Sequence, residues 1–124
     1  MAMPQNPAAL LPLTPVVLHI LLALADERQT KHGYAVAREV EELTDGQIRM
    51  GPGTLYGSIQ RMFDASLLEE AQRTKRMRAP EDDERRRYYR ITPFGRRVLE
   101  LEVARLAHVV AIARRKLLLR PEPA

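Results

Sequence analysis

Residues 51–57 read Gly-Pro-Gly-Thr-Leu-Tyr-Gly, three glycines and a proline at the head of a segment that otherwise has helical periodicity. On a helical wheel of residues 52–64, Leu55, Ile59 and Met62 fall together with Phe63 beside them. Thr54, Gly57, Gln60 and Arg61 point the other way, and Tyr56 and Ser58 flank. Gly57 sits in the middle of that polar face, where alanine would be better by about 1 kcal/mol. Such a glycine makes sense where another surface comes close to the backbone. The N–H groups at a helix N-terminus suit phosphate, and the hydroxyls of Thr54, Tyr56 and Ser58 can donate to phosphate oxygens. Gln60 and Arg61 are long enough to reach base edges, arginine favouring guanine and glutamine adenine. The alternative is an ordinary amphipathic helix with a poor start.

A second set of residues points to the same polyanion. The net charge of +4 lies entirely between Arg73 and Arg90, where eight basic residues face four acidic ones, Glu81 to Glu84. The rest of the chain carries twelve charges of each sign. Lys75, Arg76 and Arg78 stand on one side of the acidic run and Arg85, Arg86 and Arg87 on the other, all candidates for phosphate contact. A solvated charge run is the plainer reading, and an acidic protein partner is the competing functional one.

Enzymatic sites are not visible. The three histidines, His19, His32 and His108, have no ligand-like spacing with acidic residues, and cysteine is absent. No Ser/His/Asp grouping, phosphate-cradling glycine loop or paired carboxylates at an apolar site occur, so neither a metal nor a cofactor is expected. The cysteine-free composition suits a reducing cytoplasm. The N-terminal stretch has no basic leader, and the longest apolar run, 16–25, is about half the roughly 20 residues a membrane span needs. Few aromatic residues are available for stacking single-stranded bases, which disfavours RNA.

These groups need elements to hold them. Thr14-Pro15 is a capping residue followed by proline, a helix start. The helix it opens is apolar nearly all round and calls for cover on more than one side. Lys31-His32-Gly33 breaks the chain; a second helix follows from about 34 to 44, with Val36, Val40 and Leu43 on its inner face, and Asp45-Gly46 ends it. After the 52–64 helix, "LLEEAQR" and "RRRYYRIT" read as a hairpin whose loop carries the charge. The second strand alternates, with Arg87, Tyr89 and Ile91 on one face and Arg86, Tyr88 and Arg90 on the other; Tyr89 and Ile91 are expected in the core. Thr92-Pro93 opens a last helix to about residue 119, along which Leu99, Val103, Leu106, Val110, Ala113 and Leu117 form a heptad-like seam.

Three helices, a two-stranded wing and a long final helix make a mainly α fold with a small β-hairpin: a winged helix-turn-helix with a C-terminal dimerisation helix. The expected divisions are a flexible tail at 1–13, a DNA-binding domain at 14–92, the dimerisation helix at 93–119 and a short tail at 120–124. One protomer offers too few partners for both the first and last helices, which favours a homodimer. A cavity between them would be lined by Leu18, Leu21, Leu22, Leu99, Val103 and Leu106, a lining that would suit an apolar ligand, although packed core is the commoner outcome.

The stretch "HGYAVAREVEELTDGQIRMGPGTLYGSIQRMFDASLLEE", continued by "RRRYYRITPFGRRVLE", resembles the PadR family of bacterial transcription regulators. The most specific parts are the GTLY block, Gly53 to Tyr56, and the YYRITPFG block, Tyr88 to Gly95. Gly51 stands where members usually carry a small polar cap, Gly57 where many have proline, and Ser66 where glycine is general. The tryptophan that some ligand-responsive members carry in the last helix is absent. The resemblance implies a homodimeric repressor whose third helix enters the major groove of double-stranded DNA at a pseudo-palindromic operator, with release by a small aromatic or hydrophobic effector.

Overall fold

A computed structural model describes residues 6–71 and 87–118. Helix α1 (Pro15–Ala23), strand β1 (Lys31–His32), helices α2 (Gly33–Leu43) and α3 (Pro52–Asp64), strands β2 (Leu68–Ala71) and β3 (Tyr88–Ile91) and helix α4 (Pro93–Lys116) follow in order. Three of the four helices open on a side-chain cap. Thr14 Oγ1 accepts from the Val17 amide (3.3 Å), His32 Nδ1 from Ala35 (3.2 Å) and Thr92 Oγ1 from Gly95 (2.8 Å). At α3 the cap position is Gly51, which makes no side-chain cap bond. The C-terminal end of α1 is closed by cations, as its partial negative charge favours. Lys31 Nζ donates to the Ala23 carbonyl (2.7 Å) and to Glu39, and Arg96 Nη1 donates to the Ala25 carbonyl (2.8 Å).

The core is built where the apolar periodicities converge. Ile20 and Leu21 of α1, Val36 and Val40 of α2, Leu55, Ile59 and Met62 of α3, Ile91 of β3 and Val98 of α4 are all buried. Leu43, expected on the inner face of α2, is instead 53% exposed. It is the last residue of the helix, where the Asp45-Gly46 turn (φ 51° and 80°) carries the chain away from the core. A second left-handed turn follows α3 at Ser66 (φ 63°). Serine pays a steric cost there that glycine does not. Ser66→Gly should therefore raise stability by up to about 1 kcal/mol, read as a higher urea unfolding midpoint.

The sheet has three antiparallel strands in the order β1-β3-β2, one more than the hairpin pattern implies. Glu69 faces Arg90 and Ala71 faces Tyr88 across β2–β3, while His32 faces Tyr88 and Lys31 faces Tyr89 across β1–β3. The added strand changes the fate of one tyrosine. Tyr89 and Ile91 are buried as their alternation predicts, but Tyr88, on the other face of the expected half-exposed strand, is buried too. The His32 ring meets it edge-on at 5.8 Å. Two residues are too few to show a strand period, so β1 left no signal in the sequence.

The N-terminal segment also departs from expectation: residues 6–13 are not a loose tail. Asn6 caps a short 3₁₀ helix, Pro7–Leu10, which packs on α4. Leu10, Leu11 and Leu13 pack on the core. The segment ends on a buried carboxylate: the Leu13 amide donates to Glu102 Oε2 at 2.7 Å. Arg105 donates to the same group through Nε (2.5 Å to Oε1) and Nη2 (3.1 Å to Oε2). Glu102 is 1% exposed.

The Arg105 guanidinium, with the Leu13 amide assisting against the opposing effect of burial, holds the Glu102 carboxyl below the usual carboxylate range. Because the folded-state value is depressed, the contribution is complete above the ordinary carboxylate pKa and is lost as pH falls through the lowered one. Glu102→Gln should therefore flatten the acid side of the stability curve below about pH 4. Thermal melts of both proteins between neutral pH and pH 3 will show whether the two curves converge there.

Candidate nucleic-acid interface

Helix α3 keeps its apolar face in the core and its other face open. Leu55, Ile59 and Met62 are 1–4% exposed, whereas Thr54, Tyr56, Gln60 and Arg61 are exposed and Gly57 is half-buried. The glycines of this end have no packing reason within the described residues. A Cβ at Gly51 or Gly53 would meet nothing within 4 Å, and one at Gly57 would meet only Nη1 of Arg61, at 3.7 Å. Together with the missing side-chain cap, this leaves the N-terminal turn of α3 sterically open, with its first N–H groups and positive dipole end facing outward.

The individual side chains differ in readiness. Tyr56 is half exposed, and its ring and hydroxyl lie against Gly33 at the start of α2, where an added Cβ would stand 2.9 Å from Cε1 and 3.1 Å from the hydroxyl. It therefore presents one edge outward. Gln60 Nε2 donates to Asp64 Oδ1 at 3.1 Å, a contact that DNA must displace before the amide can read a base. Ser58 corrects the wheel: at 1% exposure it is buried and does not face a phosphate. Its hydroxyl accepts from Arg61 Nη2 at 3.3 Å.

Of the charged loop, Lys75, Arg76, Arg78, Arg85 and Arg86 lie outside the described residues. Arg87 is exposed, with Glu70 at 3.9 Å, and Arg90 pairs with Glu69 at 2.9 Å across the sheet. Both glutamates lie on β2, so part of the positive charge at the base of the hairpin is neutralised within the sheet.

Three residues not picked out from the sequence join this face. Tyr34 (63% exposed) and Arg38 of α2 and Arg49 of the α2–α3 loop line a cleft of about 300 Å³ with Met50, Pro52, Leu55 and Tyr56. Arg49 Nε lies 3.0 Å from Glu41, which shares that cleft. Tyr34, Arg38 and Glu41 are spaced four and three apart, so a wheel drawn for the polar side of α2 contains them.

The six residues expected to line an effector pocket between α1 and α4 differ in exposure. Leu21 and Leu99 belong to the core, Leu22 and Val103 are 38% and 48% exposed, and Leu18 and Leu106 lie between. Wheel positions around α1 and α4 cannot tell a cavity lining from a surface; the packing of the two helices does. The outer half of the α4 seam is likewise open. Val103, Val110 and Leu117 are 48%, 49% and 67% exposed, and the buried residues of α4 all lie between Gly95 and Glu102.

An amphipathic third helix with an open N-terminus, followed by an antiparallel β2–β3 pair and a long final helix, is the winged helix-turn-helix arrangement. Residues 20–101 match the transcriptional regulator PadR-like family, and the chain belongs to that family. Among solved structures it is similar to a PadR-like transcriptional regulator from Bacillus cereus (20% identity, TM-score 0.64, covering 86% of this chain and 93% of that one). It is similar also to a PadR family transcriptional regulator from Eggerthella lenta (30% identity, TM-score 0.53, covering 84% of each chain). It is 36% identical over 90 residues to an uncharacterized 37.1 kDa protein of transposon TN4556 from Streptomyces fradiae; the match takes in 73% of this chain but only 22% of the length of that relative. No helix among the described residues is long and apolar enough to cross a membrane.

Proposed function

We propose that this chain is a homodimeric, sequence-specific repressor acting in the cytoplasm. Its DNA-binding unit is residues 14–92, and its partner contact is the helix that begins at residue 93. The observation that carries the reading is the open face of α3. Gly51 and Gly53 leave the space beside the first turn free, a Cβ at Gly57 would meet only the end of Arg61, and exposed Thr54, Tyr56, Gln60 and Arg61 surround it. Thr54, Tyr56 and the helix amides contact phosphate, and Arg61 and Gln60 read bases in the major groove. The basic residues of the hairpin loop, Lys75, Arg76, Arg78 and Arg85 to Arg87, add sequence-independent attraction. Tyr34 and Arg38 extend the face onto α2, and Arg49 onto the α2–α3 loop.

Two such helices about 34 Å apart in a dimer fit successive major grooves of a pseudo-palindromic operator. A dimer seated there occludes the duplex, which suits repression. The half-exposed Leu18, Leu22, Val103 and Leu106 between α1 and α4 offer an apolar surface that a partner protomer would close over, and a small hydrophobic effector would bind there and shift the spacing of the two recognition helices. Selection from a randomised duplex library, followed by anisotropy on the enriched duplex and a scrambled one, tests the central claim. Arg61→Ala should weaken the enriched duplex by roughly 1–3 kcal/mol and leave the scrambled one unchanged. Failure of the wild-type protein to prefer any duplex at physiological salt would overturn DNA reading and favour an acidic protein partner.

A further inference from the structure

The polar side of α3 holds a contact that the helical wheel does not contain. Ser58 is buried, yet its hydroxyl accepts a hydrogen bond from Nη2 of Arg61, an exposed residue one turn further on. The arginine therefore folds back toward the helix N-terminus, the direction in which helical side chains lean. It passes above Gly57: an added Cβ there would lie 3.7 Å from Nη1 and would meet no other atom of the described residues outside the helix's own backbone.

We infer that Gly57 and Ser58 form a seat that holds the Arg61 guanidinium along the exposed face of α3, making Ser58 a positioning residue for base readout by Arg61. This rests on the proposed role of Arg61 in the major groove. The guanidinium is a planar fork with five donors. Ser58 engages one nitrogen from the protein side and leaves other N–H groups free for a guanine edge. An arginine held before binding loses less rotamer freedom on binding. At Gly57 a Cβ would stand at ordinary contact distance from Nη1, 3.7 Å, so only a side chain longer than alanine's would occupy the space that the guanidinium crosses. The helix-weak glycine and the buried serine thus both lie against one side chain, that of Arg61.

The test uses the full chain as wild type, Ser58→Ala, Gly57→Leu, Arg61→Ala and the Ser58→Ala/Arg61→Ala double variant. Helicity and melting confirm that each is folded. Nitrogen-15 NMR of the Arg61 guanidinium in free protein reads its order, and anisotropy compares the library-enriched duplex with its scrambled counterpart. Ser58→Ala should mobilise the guanidinium and cut the ratio of enriched to scrambled affinity about three- to ten-fold. Its affinity for the scrambled duplex and its salt slope should match wild type, and adding it to Arg61→Ala should cost nothing further. Gly57→Leu should also disorder the guanidinium. A guanidinium equally ordered without the serine, or a loss of preference that persists when Arg61 is absent, overturns the proposal. If Arg61→Ala alone leaves the preference intact, base reading by Arg61 fails and the positioning role with it; the NMR arm, which needs no DNA, separates that failure from a missing tether.

Discussion

Gly95→Ala is expected to lower unfolding stability by about 3 kcal/mol or more, the upper end of what an overfilled core costs. Gly95 is buried in the first turn of α4, and a Cβ there would stand 2.2 Å from the carbonyl oxygen of Leu67 and 3.0 Å from its carbon. The obstacle is backbone, and backbone held in place: the Leu67 carbonyl accepts from the Thr92 amide at 3.1 Å and lies 3.2 Å from the Thr92 hydroxyl. Neither side can retreat without breaking the cap of α4 or the entry to β2. Urea unfolding of the two proteins measures the effect directly, and a midpoint equal to wild type would mean that α4 does not dock on Leu67. The contrast with Gly57 is instructive. Gly95 lies in the YYRITPFG motif shared with the family and admits α4 to the sheet, whereas a Cβ at Gly57 would meet only the end of the Arg61 side chain, at 3.7 Å.

Val110→Asp should convert the protein to monomers and reduce affinity for a two-half-site operator by at least about 100-fold, since the second half-site then no longer adds to the first. Val103, Val109, Val110 and Leu117 are each between 47% and 67% exposed on a helix whose buried residues end at Glu102. A helix that leaves its own domain with an apolar stripe needs a partner. Placing a carboxylate in such a contact leaves a charge without a counterpart. The mutated position lies outside the protomer core, so the melting of the isolated fold should change little. Sedimentation reads the oligomeric state and anisotropy the affinity. A dimer that survives the substitution would place the interface elsewhere.

The helical part of the fold was legible because its signals are local. Thr14-Pro15 and Thr92-Pro93 announce helix starts through a hydroxyl and a fixed φ, and both caps form as expected. The bounds of α3 and its buried face follow from the spacing of Leu55, Ile59 and Met62, since a four-then-three repeat admits one inward side. Ser58 was misjudged because a wheel gives directions without depth. At the boundary of the core, burial is decided by what packs alongside, not by the angle alone. Glu102 was not legible at all. A glutamate beside an exposed valine reads as solvated, and only the return of the N-terminal segment, with Leu13 donating to it across 89 positions of sequence, makes it a buried anchor.

Sequence by itself determined the class of protein: the order of the four α-helices, the core face of α3, the segregation of positive charge into one segment and the two motifs that mark the family. Each depends on residues within a few positions of one another, where periodicity, capping and glycine placement act. Tertiary structure alone decided which polar residues of α3 are free to meet a ligand, that Lys31 and His32 form a third strand, and that residues 6–13 pack on α4. It also decided how the apolar residues of α1 and α4 divide between core and surface. Those outcomes depend on which surfaces remain after distant segments have packed, and no local pattern encodes that remainder.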